Sequence, residues 1–312
     1  MRIIVVGPGA LGCLLSAFLA EADQDVLLMD HRPDRAEIIA REGLYIEGVS
    51  GERRIKVPVS ASVEDAVGAD LALICVKAYH TASAIAPLVP YFRQETRVLT
   101  LQNGIGNVEA LSAACGKERV WGGITAQGAT VLGPGHIRHA GTGDTLIGAA
   151  AGSGQEDGLK AAAEIFNQAG LPARVEDKVQ PLIWSKLIIN VGINPLTAIT
   201  RLKNGQLLEF PGTREVMAQA VAEAAAVVKA LGIELVYPDA LARVKEVAQA
   251  TAGNVASMLQ DVLAQRLTEI DYINGAVADL GQKLGLPTPV NETLTRLVRT
   301  IQSSYGVEVR SG

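Results

Sequence analysis

Met1-Arg2-Ile3-Ile4-Val5-Val6-Gly7-Pro8-Gly9-Ala10-Leu11-Gly12 opens the chain, and the rest is read outward from it. Ile3 to Val6 is a short apolar run of the kind that forms a buried strand. Gly7, Gly9 and Gly12 then fall at the spacing GxGxxG, and the apolar stretch from Ala10 to about Glu21 predicts a helix. The spacing alone is a weak signal, but between a strand and a helix it acquires a mechanism. Gly7 permits a tight turn, Gly9 lets the backbone approach a pyrophosphate, and Gly12 lets helix and strand pack closely. Pro8, Ala10 and Leu11 complete the loop. The helix N-terminus offers unpaired N–H groups and partial positive charge to phosphate.

A strand expected from Val26 to Met29 ends in Asp30-His31-Arg32. Together with the Gly loop this reads as a nicotinamide dinucleotide site, with a flavin, another nucleotide or a plain turn as the alternatives. An acidic residue here binds the ribose 2′-OH of NAD, and an Arg nearby accepts the 2′-phosphate of NADP. Asp30 therefore favours NAD, while Arg32, with His31 and Lys77, favours NADP. These residues leave the choice open, and Asp30 also reads as a turn residue.

Further along, Pro33 to Arg41 reads as a helix with Asp34 in its first turn. Leu71–Val76 and Arg97–Leu101 read as buried strands, and strands alternating with helices imply βαβ units and a parallel sheet. Val120 to Gly148 changes character, with short strands and turns such as Gly133-Pro134-Gly135, and is expected to extend the sheet antiparallel. Ala151–Gly154 reads as a loop, Asp157–Ala169 as a helix and Ala173–Val175 as a strand. From about Asp177 strand signals vanish. Pro181–Ile193, Thr213–Leu231, Asn254–Leu284 and Asn291–Ser304 carry helical periodicity. The expectation is an α/β chain, with a Rossmann-type parallel-sheet domain over 1–176 that binds dinucleotide and an all-α domain over 177–312 that binds substrate.

Composition narrows the function. The chain has 312 residues, beyond the roughly 100–200 of one domain, so two domains are expected. It is 48% apolar with only 4% aromatic residues, which suits buried parallel strands and close-packed helices. The net charge of −5 and the lack of a basic stripe argue against nucleic-acid binding. Arg53, Arg54 and Lys56 read as a solvated hairpin. Cys13, Cys75 and Cys115 form no CxxC and read as small core residues. No apolar run reaches the ~18 residues of a membrane span, and no cleavable leader is seen, so a cytoplasmic protein with no membrane partner is expected. His136 and His139 lack the carboxylates or third His of a metal site, and no metal is expected. The long Ala-rich helices of the second half suit packing between subunits, as in a homodimer, or within one core.

Four more stretches, with the Gly loop, give the chain a resemblance to the ketopantoate reductase family along essentially its whole length. They are Cys75-Val76-Lys77-Ala78, Leu101-Gln102-Asn103-Gly104, the run from Trp184-Ser185-Lys186 through Asn190 to Asn194-Pro195-Leu196-Thr197-Ala198, and Asn254 to Gly275. The last holds Ser257-Met258-Leu259-Gln260-Asp261 and Thr268-Glu269-Ile270-Asp271-Tyr272-Ile273-Asn274-Gly275, and reads as one helix. The resemblance implies NADPH-dependent reduction of 2-dehydropantoate to (R)-pantoate, a step towards pantothenate and coenzyme A. Other readings are a related NAD(P)-dependent reductase of another 2-oxo or 3-hydroxy acid, or a non-catalytic dinucleotide sensor. Retention of Lys186, its Asn partners and Glu269 argues against a sensor.

The chemistry can also be read from the residues. Reducing a 2-oxo acid needs a hydride donor, a proton donor to the developing alkoxide, and polar groups that hold carboxylate and hydroxyl. Lys186, Asn190 and Asn194, at i, i+4 and i+8, occupy an arc of about 80° if the helix stays regular, although Pro195 disfavours helical geometry at Asn194. Three polar groups on an otherwise apolar helix suit a cleft between domains. By resemblance, Lys186 matches the family's general acid, and Glu269 an acidic residue near cofactor ribose and substrate hydroxyl. Asn190, Asn194, Asn204 and Ser257 match positions that bond substrate, and Asn103 a residue between nicotinamide ribose and substrate. Asn254 is placed one turn before Ser257, about 60° from Glu269 around the expected helix; it reads equally as a cap or surface amide. Lys77 matches a position beside the cofactor, although His80 stands where the family often has Gln. Gly128 matches a backbone contact to the cofactor.

Overall fold

The computed structural model describes residues 1–150 and 156–307. The predicted loop at Ala151–Gly154 lies outside the described residues. The chain divides into two compact units. The first comprises Met1–Gln102 and Asn107–Val179; the second comprises Asn103–Gly106 and the chain from Gln180 onward.

In the first unit β1 (Arg2–Val6), α1 (Ala10–Glu21), β2 (Asp25–Met29), α2 (Pro33–Glu42), β3 (Leu44–Gly48), β4 (Arg53–Ile55) and β5 (Val59–Ser60) follow one another. Then come β6 (Leu71–Ile74), α3 (Thr81–Ile85), β7 (Arg97–Thr100), α4 (Asn107–Cys115), β8 (Val120–Thr125), β9 (Gly128–Gly133), β10 (His136–Gly141), β11 (Thr145–Ala149), α5 (Glu156–Gln168) and β12 (Ala173–Val175). An eight-stranded sheet has the order β12-β11-β8-β7-β6-β1-β2-β5. It is parallel except where β11 meets β8. Both faces are buried. Ile3 and Val5 enter one apolar cluster and Ile4 and Val6 another, as the period-2 strand geometry requires.

The Val120–Gly148 stretch corrects the sequence reading in part. β8 and β11 extend the main sheet with antiparallel pairing, as expected. The hairpin β9–β10 instead joins a separate four-stranded sheet of order β4-β3-β10-β9, in which β10 pairs with β3 in parallel. α1 is the reason a second sheet is needed. It packs on β1 and β2 with one side and on β9 and β10 with another. Its Cys13, Leu14, Leu15, Ala17 and Leu19 are all buried, and a helix apolar on most of its circumference has to be covered on more than one side. Arg53 and Arg54 lie on the β3–β4 hairpin, where Arg53 bonds Glu21 and Arg54 stacks on Tyr45.

The second unit is helical: α6 (Val179–Thr200), α7 (Pro211–Ala230), α8 (Ala240–Ala250), α9 (Ser257–Leu263), α10 (Asn274–Leu284) and α11 (Pro289–Ser303). α6 is at its centre. Leu187, Ile188, Val191, Ile193, Leu196 and Ala198 belong to its core. A Cβ on Gly192 would stand 2.7 Å from Val244 of α8 and 3.0 Å from Val221 of α7, so glycine is what lets these helices approach. α6 is also the one helix among the described residues long and apolar enough to cross a membrane, yet 67% of its apolar window is buried inside the fold. The expectation that no apolar run reaches ~18 residues missed it because the helix runs on through Pro195. α8 was not anticipated; the Asp239 side chain caps it by accepting from the Ala242 N–H at 2.9 Å.

The reading of Asn254–Gly275 as one helix is also corrected. α9 starts at Ser257 and stops at Leu263. Gln265 takes a φ of 51°, its N–H bonds the Val262 carbonyl, and the Arg266 N–H bonds the Asp261 carbonyl. This pair is a Schellman stop, which Gly usually fills. A Gln there gives no warning in sequence. Asn254 therefore precedes the helix rather than lying on it, and the 60° relation to Glu269 does not hold.

Candidate active site

The Gly loop joins β1 to α1. Gly7 has a φ of +104°, and its N–H bonds the Met29 carbonyl at 3.0 Å. A Cβ on Gly7 would meet Val76 Cγ1 at 2.7 Å, and one on Gly12 would collide with the Gly7 carbonyl oxygen. Both glycines are thus required by the fold itself. Gly9 differs: its nearest neighbour to a Cβ is the Cys75 carbonyl oxygen at 3.6 Å, an ordinary contact. What glycine preserves at position 9 is open space at the start of α1. The first bond in that helix is from the Cys13 N–H to the Gly9 carbonyl. The N–H groups of the first turn point out of the helix, and no acid stands there to repel an anion. This donor set fits a diphosphate.

At the end of β2, Asp30 is buried and held by a residue the sequence reading missed. Arg35 grips it with Nε at 2.5 Å and Nη2 at 2.6 Å, and the Arg32 N–H adds a bond at 3.1 Å. Arg35 sits in the first turns of α2, so only the helix geometry brings it back to Asp30. The exposed Arg32 side chain faces Asp34, and His31 is exposed beside Asp30. Lys77 is half-buried after β6, and its carbonyl accepts from the exposed His80 N–H. The ends of β6 and β7 are tied by Gln102, whose Nε2 donates to the Val76 carbonyl at 2.7 Å and to Thr81 Oγ1 at 2.8 Å. Gly128 opens β9 opposite Gly141, in the four-stranded sheet rather than in the sheet that carries the Gly loop. His136 faces Glu47, and His139 bonds Gln127.

In the second unit α6 is regular across Lys186, Asn190 and Asn194, so the three share one side of it. Ser185 is pinned by the Val236 N–H, which donates to its Oγ at 3.0 Å, and by Tyr237, whose hydroxyl donates to its carbonyl at 2.7 Å. This fixes α6 one residue before Lys186. Burial pushes the Lys186 ammonium down from 10.5 to about 8, against the opposing pull of the Glu269 carboxylate. Glu269 is itself buried and stands just before a 3-10 turn, Ile270–Tyr272. The segment leading to it is anchored by Gln302 of α11, which accepts both the N–H and the hydroxyl of Thr268.

The same turn receives the Asn103 loop. Ile105 donates to the Tyr272 carbonyl at 3.0 Å, and Gly104, at a φ of +84°, lies where a Cβ would stand 2.6 Å from that oxygen. This contact is why Asn103–Gly106 groups with the helical unit although β7 does not. Asn103 is the first residue of this docked loop. Asn194 is buried at 5% exposure and Asn204 at 8%. Asn190 Nδ2 and Asn204 Oδ1 are buried with no protein partner. The first is a donor and the second an acceptor, each open to a ligand. Asn204 also donates Nδ2 to Thr251 Oγ1 at 2.8 Å, and its N–H bonds the Asn254 carbonyl at 3.1 Å. The exposed Asn254 thus contributes its backbone to holding Asn204. Ser257 is half-buried at the first position of α9.

Comparison with known proteins identifies the family. The model of ketopantoate reductase PanE/ApbA matches residues 3–152, and that of the ketopantoate reductase PanE/ApbA C-terminal part matches residues 178–302. A 2-dehydropantoate 2-reductase of Halobacterium salinarum is 36% identical over 305 residues, covering 97% of this chain and 99% of its own. A PanE/ApbA family ketopantoate reductase from Ralstonia eutropha JMP134 superposes with a TM-score of 0.89 at 34% identity, covering 97% of this chain and 99% of its own. A D-mandelate dehydrogenase, solved with NADH and anilino(oxo)acetate, superposes at 0.91 with 30% identity and the same coverage. With a Rossmann-type sheet, a helical second unit and both halves matched in order, the chain belongs to the ketopantoate reductase family.

Proposed function

We propose that this chain is a 2-dehydropantoate 2-reductase that reduces ketopantoate to (R)-pantoate with NADPH. The observation that carries the reading is Lys186: a buried ammonium brought to about 8, on the same side of α6 as the unpaired Asn190 amide. At neutral pH it is still charged, so it can donate, and it yields its proton far more readily than a free lysine. A nicotinamide held at the Gly loop would supply the hydride, and Lys186 Nζ would give a proton to the carbonyl oxygen, the neutral amine being recharged from solvent. Glu269 sustains the ammonium between turnovers. Asn190, Asn194 and Asn204 offer amide groups to the carboxylate and hydroxyl of the acid, and Asn103 extends the set.

The preference for NADPH rests on Arg35. Its two bonds engage both oxygens of Asp30 and cancel the charge that would repel a 2′-phosphate. Arg32 and His31, both exposed beside it, add positive charge or donors. A second reading has its own support: the D-mandelate dehydrogenase likeness favours a related acid with an aryl group in place of the ketopantoate chain, used with NADH. One assay tests both. Purified protein is followed at 340 nm with ketopantoate or phenylglyoxylate, each with NADPH and NADH. Turnover of phenylglyoxylate but not ketopantoate would replace the proposal by the second reading, and a tenfold preference for NADH would overturn the cofactor assignment.

A further inference from the structure

Pro195 lies inside α6, between the turn that carries Asn190 and the end of the helix. Proline has no N–H, so the carbonyl four residues back, Val191, loses its helical partner in the core, and the ring presses on that same carbonyl. An unpaired carbonyl in such a place is costly. Asn274, with no exposed surface, fills the gap: its Nδ2 donates to the Val191 oxygen at 3.2 Å. The Asn274 amide cannot be turned the other way. Its second hydrogen points to Asn291 Oδ1 at 2.9 Å. Asn291 in turn donates Nδ2 to the Ala220 carbonyl at 3.0 Å and to Glu223 Oε2 at 2.7 Å. The Glu223 carboxylate also accepts the Val290 and Asn291 N–H groups at the start of α11. An acceptor-only carboxylate at one end thus sets the direction of every donor along the chain, down to Val191.

Val191 is the residue after Asn190, and its carbonyl lies in the turn that separates Asn190 from Asn194. We infer that Asn274 is a positioning residue for the substrate face of α6. It supplies the bond that residue 195 cannot and holds the turn between Asn190 and Asn194 in place. This rests on the reading of that face as the one that holds the 2-oxo acid. Asn274 touches neither reactant; it acts through the Val191 carbonyl.

The test is a double-mutant cycle of Asn274→Leu with Pro195→Ala. Alanine at this position restores an N–H that can bond Val191, so it should make Asn274 partly dispensable. In the wild-type background N274L is expected to raise KM for ketopantoate about tenfold, with KM for NADPH changed less than twofold. In the P195A background the same substitution should raise KM for ketopantoate less than about threefold, and the loss in thermal unfolding midpoint should shrink in parallel. The unpaired Asn291 Oδ1 is common to both backgrounds and drops out of the comparison. Equal effects in the two backgrounds overturn the hydrogen-bond role. Coupling in the unfolding midpoint without coupling in KM overturns the positioning role. Should N274L not fold, N274A, smaller and likewise without the donor, is carried through the same cycle under the same criteria. Failure of the functional reading shows earlier and separately, as wild-type protein that does not turn over ketopantoate.

Discussion

Replacing Lys186 by Met should stabilise the protein while destroying its activity, and the stabilisation should depend on pH in a defined direction. In the unfolded chain this lysine keeps its proton up to 10.5; in the fold burial brings it down to about 8. Between those values the unfolded state holds more protons, so wild-type stability rises with pH across the window relative to the variant. The cost of burying the ammonium is full below about 8 and gone above 10.5. At about 1.4 kcal/mol per pH unit of displacement, the shift from 10.5 to about 8 corresponds to about 3 kcal/mol. Lys186 is only half-buried as a residue, and solvent screening reduces this to about 1–2 kcal/mol. The attraction between Glu269 and the ammonium is already contained in the value of about 8, so it adds no separate contribution to the pH dependence. Urea unfolding of wild type and K186M at pH 7 and pH 10 reads the effect: the variant's advantage should be larger at pH 7 by about 1–2 kcal/mol. In the same preparations kcat at pH 7 should fall by about two or more orders of magnitude, and wild-type kcat should decline as pH rises through about 8. A variant whose advantage is the same at both pH values, or an active K186M, would refute the argument.

Three other predictions follow from geometry. Gly9→Ala should keep the wild-type unfolding midpoint, because its Cβ has room, but weaken NADPH binding about tenfold or more as measured by fluorescence titration; Gly12→Ala, whose Cβ would collide with the Gly7 oxygen, should not give a stable fold, and equal behaviour of the two would contradict the cradle. Arg35→Gln frees the Asp30 carboxylate for a ribose diol, so the ratio of kcat/KM for NADPH over NADH should drop about tenfold or more; an unchanged ratio removes Arg35 from cofactor choice. Burial pushes the Cys13 and Cys75 thiols up to about 12 and raises Cys115, so an aromatic disulfide reagent at pH 8 should label none of them quickly in folded protein and all three in urea; rapid native labelling would mean that these sites open.

Local sequence was sufficient wherever the deciding interactions are local. The bounds of α1, Ala10–Glu21, are legible because its Gly loop, its apolar run and the following turn all lie within one stretch. β12 is legible at Ala173–Val175 for the same reason, an apolar pair between turn signals. The i, i+4, i+8 spacing of Lys186, Asn190 and Asn194 could be read as one helical face because 3.6 residues per turn is a property of the backbone.

What only the tertiary structure decided is what depends on partners far along the chain. The β9–β10 hairpin carries the same alternation whichever sheet it joins; the covering of α1 sends it to β3. The break after Leu263 is a Gln at positive φ, held by bonds to Asp261 and Val262 and by the docking of Thr268 on Gln302. The Val191 carbonyl, which Pro195 leaves without a helical partner, is met by Asn274, 83 residues further along. The Asp30 carboxylate, which alone reads as a ligand for ribose, is claimed by Arg35 once α2 folds back. Periodicity and turn chemistry are written in neighbouring residues, whereas the satisfaction of a buried carbonyl or carboxylate is settled only when the chain has closed around it.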